Sequence, residues 1–150
     1  MSEPAGDRPK VVPELDVSDL DASLGFYVAI CGFEVAYARA EERFAYLDLG
    51  GAQLMLQEAA GPGRRFRTAS LERPFGRGVN LQIEVGDLDS LYRRVDGAGV
   101  HTLWGPEERW YRRSSDTVGQ RQFVVADPDG YLLRFFQPIG SIEEPARRPP

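Results

Sequence analysis

Several short stretches of the chain alternate between hydrophobic and polar residues. In residues 79–85 the apolar side has Val79, Leu81, Ile83 and Val85, and the polar side has Asn80, Gln82 and Glu84. Residues 11–17 are similar, with Val12, Glu14 and Asp16 sharing one side. Alternation of this kind predicts strands with one face on a core and the other face in a more polar setting.

A five-residue motif follows each of these two strands. Residues 17–21 read Val-Ser-Asp-Leu-Asp and residues 85–89 read Val-Gly-Asp-Leu-Asp, an offset of 68 residues. Leucine, tyrosine and valine then recur at helical spacing. Ser18 or Asp19 in the first copy, and Asp87 in the second, are predicted N-caps. Gly32 and Gly99 are predicted to end the two helices.

Three further strands are predicted after each helix. They cover residues 33–40, 43–49 and 52–57 in the first half, and residues 100–104, 121–126 and 131–137 in the second. Gly50-Gly51 suits a two-residue hairpin turn, and Asp127-Pro128-Asp129-Gly130 has proline and glycine where a turn favours them. The sequence therefore predicts an α+β protein of two βαβββ modules, at residues 11–58 and 79–138. We expect flexible ends at 1–10 and 139–150 and a solvated, mobile, arginine-rich linker at 59–78.

The net charge and the hydropathy of the chain limit which binding partners and which cellular compartment we expect. The chain has 150 residues and a formal net charge of −5. This acidic balance argues against a nucleic-acid binder and suits a cationic or neutral partner. Nothing predicts a membrane span, and residues 1–10 lack the apolar core of a signal peptide, so we expect a cytoplasmic protein. Cys31, the single cysteine, is predicted to be a buried thiol at a helix end.

The two modules, the repeated motif and the Asp127–Gly130 turn followed by Tyr-Leu-Leu-Arg-Phe resemble the vicinal oxygen chelate superfamily. That superfamily includes glyoxalase I, extradiol dioxygenases and bleomycin-resistance proteins. The resemblance covers roughly residues 11–138. It implies that each module curls its sheet into a cup and that two cups face each other around a ligand.

The resemblance also implies four cup positions that hold a metal ion in the enzymes of the superfamily. Transferred by motif spacing, with an offset of 79 between the two last strands, these positions are Val12, Met55, Asn80 and Arg134. Divalent transition metals prefer imidazole, thiolate or carboxylate ligands, and a guanidinium repels a cation. His101 is the single histidine and is predicted to be an ordinary strand residue. We therefore expect neither a metal ion nor another cofactor.

A metal-free member of this kind resembles the bleomycin-resistance branch. That resemblance implies a homodimeric protein that binds and sequesters an antibiotic or other aromatic or cationic small molecule in the cup between modules. Whether the cup is completed within one chain or across the dimer stays open. So does the alternative of a metal-independent isomerase, epimerase or lyase, with Glu84 or Glu14 as general base and Arg134 steadying an oxyanion. A metal-dependent enzyme of the glyoxalase or dioxygenase type is the remaining alternative.

The predicted ligand site draws on both modules. Residues 105–119 are interpreted as a lid loop because they form a long connection. The loop carries Trp110 and Tyr111, with Trp104 just before it; their rings could stack on a ligand or could simply cover the sheet or a dimer interface. Arg134 could form an ion pair with Glu84 or Glu14, or bind an anionic group of the ligand. The predicted binding residues are Val12, Glu14, Met55, Asn80, Gln82, Glu84, Trp104, Trp110, Tyr111, Arg134 and Phe136.

Overall fold

The structure is a computed structural model that describes residues 8–143 of the chain. It divides into two compact units. Unit 1 contains the residues up to Arg77 together with Asp127–Gly130, and unit 2 contains Gly78–Ala126 and the residues from Tyr131 onward. Within the described residues no helix has the length and apolar character needed to cross a membrane.

Unit 1 is a βαβββ module with an open four-stranded sheet. Its elements are β1 (Glu14–Val17), α1 (Leu20–Leu24) with a π-helical continuation (Gly25–Ile30), β2 (Glu34–Arg39), a 3-10 turn (Ala40–Glu42), β3 (Phe44–Leu49) and β4 (Ala52–Glu58). The strand order is β1-β4-β3-β2, with β1 parallel to β4 and the other pairs antiparallel. Gly50 and Gly51, with φ of 58° and 98°, make the predicted turn between β3 and β4.

The core of unit 1 is built from one face of this sheet and from the helix. Val17, Tyr27, Leu47 and Leu56 are completely buried, and so is Cys31, as its position at the helix end predicted. Asp19, rather than Ser18, caps the helix, because its carboxylate accepts a hydrogen bond from Ala22 N at 3.2 Å. The burial of apolar surface around this face is the main source of the unit's stability.

Unit 2 repeats the same arrangement with longer strands. Its elements are β5 (Asn80–Glu84), α2 (Leu88–Gly97), β6 (Thr102–Arg112), β7 (Asp116–Ala126) and β8 (Leu132–Glu143), and its strand order is β5-β8-β7-β6. Asp87 caps α2 as predicted, accepting from Ser90 N at 3.0 Å. Leu88, Leu91 and Val95 bury one side of α2, and Phe123 and Phe135 are fully buried on the sheet.

The predicted lid loop at residues 105–119 is wrong, because most of this segment is a β-hairpin formed by β6 and β7. Gly105-Pro106 suggests the end of a strand, but the irregularity is confined to bulges between Thr102 and Glu107, after which pairing with β7 continues to Arg112. The prediction of a loose C-terminus is also wrong up to Glu143, where β8 still pairs with β7. His101 is exposed and lies one residue before β6. The predicted loose residues 1–7 and 144–150 lie outside the described residues.

Three arginines of the predicted linker are hydrogen-bonded within unit 1. Arg65 donates to the carbonyl oxygen of Glu58 through Nε at 3.1 Å and Nη2 at 2.7 Å. Arg67 Nε donates to Asp16 at 2.9 Å, and Arg73 Nη2 to Asp129 at 2.9 Å. The sequence favoured a solvated linker, but these side chains are engaged with unit 1.

Candidate functional site

The first and last strands of each unit pair in parallel, and their register shows the internal repeat at the level of single residues. Glu14 lies opposite Met55 in unit 1, and Gln82 lies opposite Arg134 in unit 2. An offset of 68 residues relates Glu14 to Gln82, and an offset of 79 residues relates Met55 to Arg134, so the two pairs occupy equivalent positions. Val12 lies two residues before β1 and is half-buried.

Unit 2 has a recess on the sheet face that carries Arg134. Its volume is about 290 Å³, close to the lower limit of about 300 Å³ for small-molecule sites. The residues that line it are Asn80 from β5, Trp104 and Glu107 from β6, Gln122 and Val124 from β7, and Leu132 and Arg134 from β8. Of the predicted residues, Asn80, Trp104 and Arg134 therefore line one recess.

One donor of the Arg134 guanidinium is not satisfied. Its Nη2 donates to Gln82 Oε1, but its Nε is buried and has no acceptor in the part of the chain that the structure describes. The predicted ion pair with Glu84 is not present, since no described carboxylate of unit 2 forms a salt bridge with Arg134. A partly buried guanidinium without an anionic partner is costly, so this group favours an acceptor brought in by a ligand.

Gln122 links two other groups of the recess face. Its Nε2 donates to Tyr111 Oη at 2.9 Å and to Glu107 Oε1 at 3.3 Å. The hydrogen bond from Gln122, followed by that from Arg109, holds the pKa of Glu107 below its ordinary value. Glu107 is therefore a carboxylate at neutral pH, and the recess contains one negative and one positive side chain.

The two tryptophans lie on opposite faces of β6. Trp104 is 58% exposed and lines the recess. Trp110 pairs with Gly119, and the alternation along β6 places it on the face opposite Glu107. Its ring lies so close to Gly119 that a Cβ there would be 2.6 Å from it. Trp110 is thus not part of the recess, whereas Tyr111 is joined to it through Gln122.

The remaining predicted site residues lie outside the recess lining. Glu14 and Glu84 are exposed, and Met55 and Phe136 are half-buried. The enzyme hypothesis places Glu14 or Glu84 as a base in a dry pocket, and both residues are exposed in the structure. Gln82 is hydrogen-bonded to Arg134 of the recess and, through Gln120, is linked to Gln122.

The corresponding face of unit 1 differs because its polar groups bond to one another. Tyr46 Oη donates to Gln53 Oε1 at 2.6 Å, and Gln57 Nε2 donates to Asp16 at 2.9 Å. Met55, at the position that matches Arg134, has no charge to satisfy. On this sheet face, among the residues that the structure describes, the buried side-chain donor without an acceptor is Arg134 Nε of unit 2.

The side chains at the positions implied for a metal ion do not fit one. Val12 has no lone pair, Met55 is a poor ligand for hard cations, Asn80 is weak by itself, and Arg134 repels a cation. Among residues 8–143, no group of three or more histidine, cysteine, aspartate or glutamate side chains could hold a metal ion. A divalent ion in the Arg134 recess would have to overcome the charge of the guanidinium.

Four lining residues, Glu107, Gln122, Val124 and Leu132, were not predicted from the sequence. Leu132 shares a strand side with Arg134, which is a signal that sequence reasoning could have used. Glu107 and Gln122 were not predicted because residues 105–119 were interpreted as a loop. The alternation of side chains predicts which face they lie on only when β6 and β7 are known to be paired strands.

Comparisons with known proteins agree with this architecture. The sequence profile of the glyoxalase/bleomycin resistance protein/dioxygenase superfamily matches residues 12–135. A bleomycin resistance protein of Geobacillus stearothermophilus is 31% identical over 139 residues, covering 87% of this chain and 97% of that protein. One from Klebsiella pneumoniae is 25% identical over 128 residues, covering 85% and 91%. The crystal structure of TioX from Micromonospora sp. ML1 has the same fold, with a TM-score of 0.67 at 22% identity, covering 87% and 99%.

Proposed function

The chain belongs to the glyoxalase/bleomycin resistance protein/dioxygenase superfamily, and on that premise we propose that it is a metal-independent protein that binds and sequesters a small molecule. The observation that carries the proposal is the recess of unit 2, where Arg134 presents a guanidinium without an anionic partner. Antibiotics of the bleomycin class are the first candidates, because bleomycin resistance proteins align with most of the chain.

The three functional groups of the recess specify the chemistry of the ligand. The exposed indole of Trp104 offers a stacking surface for a planar group. The Glu107 carboxylate can accept hydrogen bonds from a cationic group, and Arg134 can donate to a carbonyl, carboxylate or phosphate oxygen. A ligand with an aromatic ring, a positive charge and an acceptor oxygen satisfies all three. A recess of about 290 Å³ holds only one part of a molecule as large as a bleomycin.

Binding is favoured over catalysis by the state of the carboxylate in the recess. The lowered pKa of Glu107 makes it a weak base, whereas a general base is most effective with a pKa near the operating pH.

We also propose that the protein acts as a homodimer, so that a second chain adds to the enclosure of a large ligand. These features support a sequestering role.

Calorimetric titration with metal-free bleomycin tests the proposal. We expect a saturable heat at one site per chain and a rise in melting temperature with ligand concentration. The aminoglycoside kanamycin, which is cationic but has no aromatic ring, is the matched control and is expected to give no saturable heat. Absence of heat and of any thermal shift at high bleomycin concentration would exclude that ligand class. A stoichiometric divalent metal in the purified protein would contradict metal independence.

A further inference from the structure

A chain of side-chain hydrogen bonds, here called the glutamine chain, crosses the recess face of unit 2. Arg134 donates to Gln82 Oε1, and Gln82 Nε2 donates to Gln120 Oε1 at 3.5 Å. Gln120 Nε2 donates to Gln122 Oε1 at 2.8 Å. Gln122 Nε2 then donates to Glu107 Oε1 at 3.3 Å. The five residues come from all four strands of the sheet, so the chain joins a guanidinium on β8 to a carboxylate on β6.

The two charged ends fix the direction of every hydrogen bond between them. A guanidinium only donates and an ionised carboxylate only accepts, whereas a glutamine amide accepts through its oxygen and donates through its nitrogen. Gln82 must turn its oxygen to Arg134, so its nitrogen faces Gln120. The same condition makes Gln120 turn its nitrogen to Gln122, which presents its own nitrogen to Glu107. Turning any one amide around would bring two donors or two acceptors together on both of its sides.

The ends of the glutamine chain line the recess, whereas Gln120 in its middle does not. Arg134, Gln122 and Glu107 are lining residues. Gln120 lies outside the lining, and only 7% of it is exposed. A buried amide whose oxygen and nitrogen are both hydrogen-bonded is held in one orientation. Gln120 is therefore placed to orient both ends of the site without contact with a ligand in the recess.

The equivalent face of unit 1 has a similar path with a different beginning. Tyr46 donates to Gln53 at 2.6 Å, and Gln53 donates to Asp48 at 2.7 Å. This path begins at a neutral hydroxyl, because Met55, the residue equivalent to Arg134, has no donor. In unit 2 the cation at the start and the carboxylate at the end give the glutamine chain two oppositely charged termini, and both of them face the recess.

We infer that Gln120 is a positioning residue that holds Arg134 and Glu107 in the orientations needed for one polar ligand. The ligand brings an acceptor oxygen to Arg134 and a cationic group to Glu107, so its charges lie at opposite ends, as in a zwitterion. Turned end for end, it would place its cation against the guanidinium and its acceptor against the carboxylate. This inference rests on the proposed binding function of the recess and adds to it a residue that the ligand does not contact.

NMR signals of the side-chain amides test the glutamine chain in the unliganded full chain. Glu107→Gln should shift the amide signals of Gln82, although the two residues share no hydrogen bond. Arg134→Met should likewise shift the amide signals of Gln122. In the Gln120→Met background, where a side chain of similar size has no amide, both responses at the far end should be lost. If neither end variant shifts the far amide, the inference is overturned, and this comparison does not require Gln120→Met to fold.

The pKa of Glu107 is a second readout, which a general loosening of the sheet would not move selectively. The hydrogen bond from Gln122 is the first cause of its lowered pKa. Gln120→Met frees the Gln122 amide to turn, so the pKa of Glu107 should rise towards its ordinary value, in part only because the contact with Arg109 remains. Gln57→Met in unit 1 removes a glutamine of the same 7% exposure together with its own hydrogen bond, and is the matched control. An unchanged pKa in Gln120→Met, or an equal rise in the control, would overturn the inference.

Calorimetric titration with metal-free bleomycin measures the consequence for binding. Gln120→Met should weaken binding about threefold or more, because it disturbs groups coupled to it, whereas Gln57→Met should bind like the wild type. The effect should be smaller in the Arg134→Met background, since Gln120 acts partly through Arg134. Wild-type affinity in Gln120→Met, or an equal effect in both backgrounds, would overturn the positioning role. If the wild type itself binds no bleomycin, the proposed ligand class fails, and the amide signals, which need no ligand, still decide the inference.

Discussion

Gln82 and Arg134 lie opposite each other on parallel neighbouring strands, and Gln82 accepts a hydrogen bond from the Arg134 guanidinium. The same register in unit 1 pairs Glu14 with Met55. Met55 and Arg134 therefore occupy equivalent backbone positions, but the side chain is apolar in unit 1 and cationic in unit 2. Among residues 8–143, this difference explains why the guanidinium donor without an acceptor lies in the recess of unit 2.

Arg134→Met gives unit 2 the residue that unit 1 has at this position. We expect bleomycin to bind about tenfold or more weakly, which corresponds to about 1.4 kcal/mol, because a charge-assisted hydrogen bond is lost. The free energy of unfolding should not fall, since a buried donor without an acceptor is removed. Calorimetry and urea unfolding measure the two quantities. Arg93→Met, on the exposed side of α2, is the control; equal binding by both variants would contradict a role for Arg134.

Gly105→Ala should destabilise unit 2. Gly105 has a φ of 84°, and an added Cβ would lie 2.5 Å from Gln122 O and 3.0 Å from Phe123 Cα. We expect a loss of about 1–3 kcal/mol in urea unfolding, together with weaker ligand binding because Gln122 must shift. Gly97→Ala, in α2 with open space around the new Cβ, should instead stabilise by up to about 1 kcal/mol. A neutral effect of Gly105→Ala would show that the bulge relaxes freely.

Tyr27→Phe tests the anchoring of the Asp127–Gly130 turn within unit 1. Tyr27 Oη donates to Asp127 Oδ2 at 2.8 Å, and both side chains are buried. Loss of this buried hydrogen bond should lower the free energy of unfolding by about 1–3 kcal/mol. Tyr92→Phe, which keeps its ring packing on Phe123, should change it by less than about 0.5 kcal/mol. Equal losses in the two variants would show that the hydroxyl of Tyr27 contributes nothing specific.

The sequence predicted the module architecture and the helix caps well because these depend on local patterns. The repeated motif located the helix starts at Ser18 or Asp19 and at Asp87, and the structure selects Asp19 in the first copy. That Gln82 lies opposite Arg134 was not predicted. The hairpin of β6 and β7 was missed because strongly charged residues and Gly105-Pro106 masked its alternation. The roles of Glu107 and Gln122 depend on pairing between distant residues, which a single sequence does not show.

Glu58 makes the stability of unit 1 dependent on pH. Its carboxylate accepts hydrogen bonds from Leu20 N at 3.0 Å and from Arg43 Nη2 at 2.9 Å, and these contacts, the first above all, lower its pKa from the ordinary value of 4.5. A lowered pKa in the folded state stabilises above the unfolded pKa, and this contribution is lost as the pH falls through the folded value. As the pH drops below about 4.5, we expect the free energy of unfolding to decrease, and to decrease less in Glu58→Gln. Identical acid profiles for the two proteins would contradict this contribution.

The central claim, that the unit 2 recess binds the ligand, is tested most directly by the fluorescence of single-tryptophan variants. The chain has two tryptophans, Trp104 in the recess and Trp110 on the opposite face of β6. In Trp110→Phe the remaining Trp104 should report a saturable change on titration with metal-free bleomycin, with the dissociation constant found by calorimetry for that variant. In Trp104→Phe the remaining Trp110 does not contact the ligand, so its fluorescence should change much less in the same titration. A saturable change reported by Trp110 but not by Trp104 would contradict the placement of the ligand in the recess.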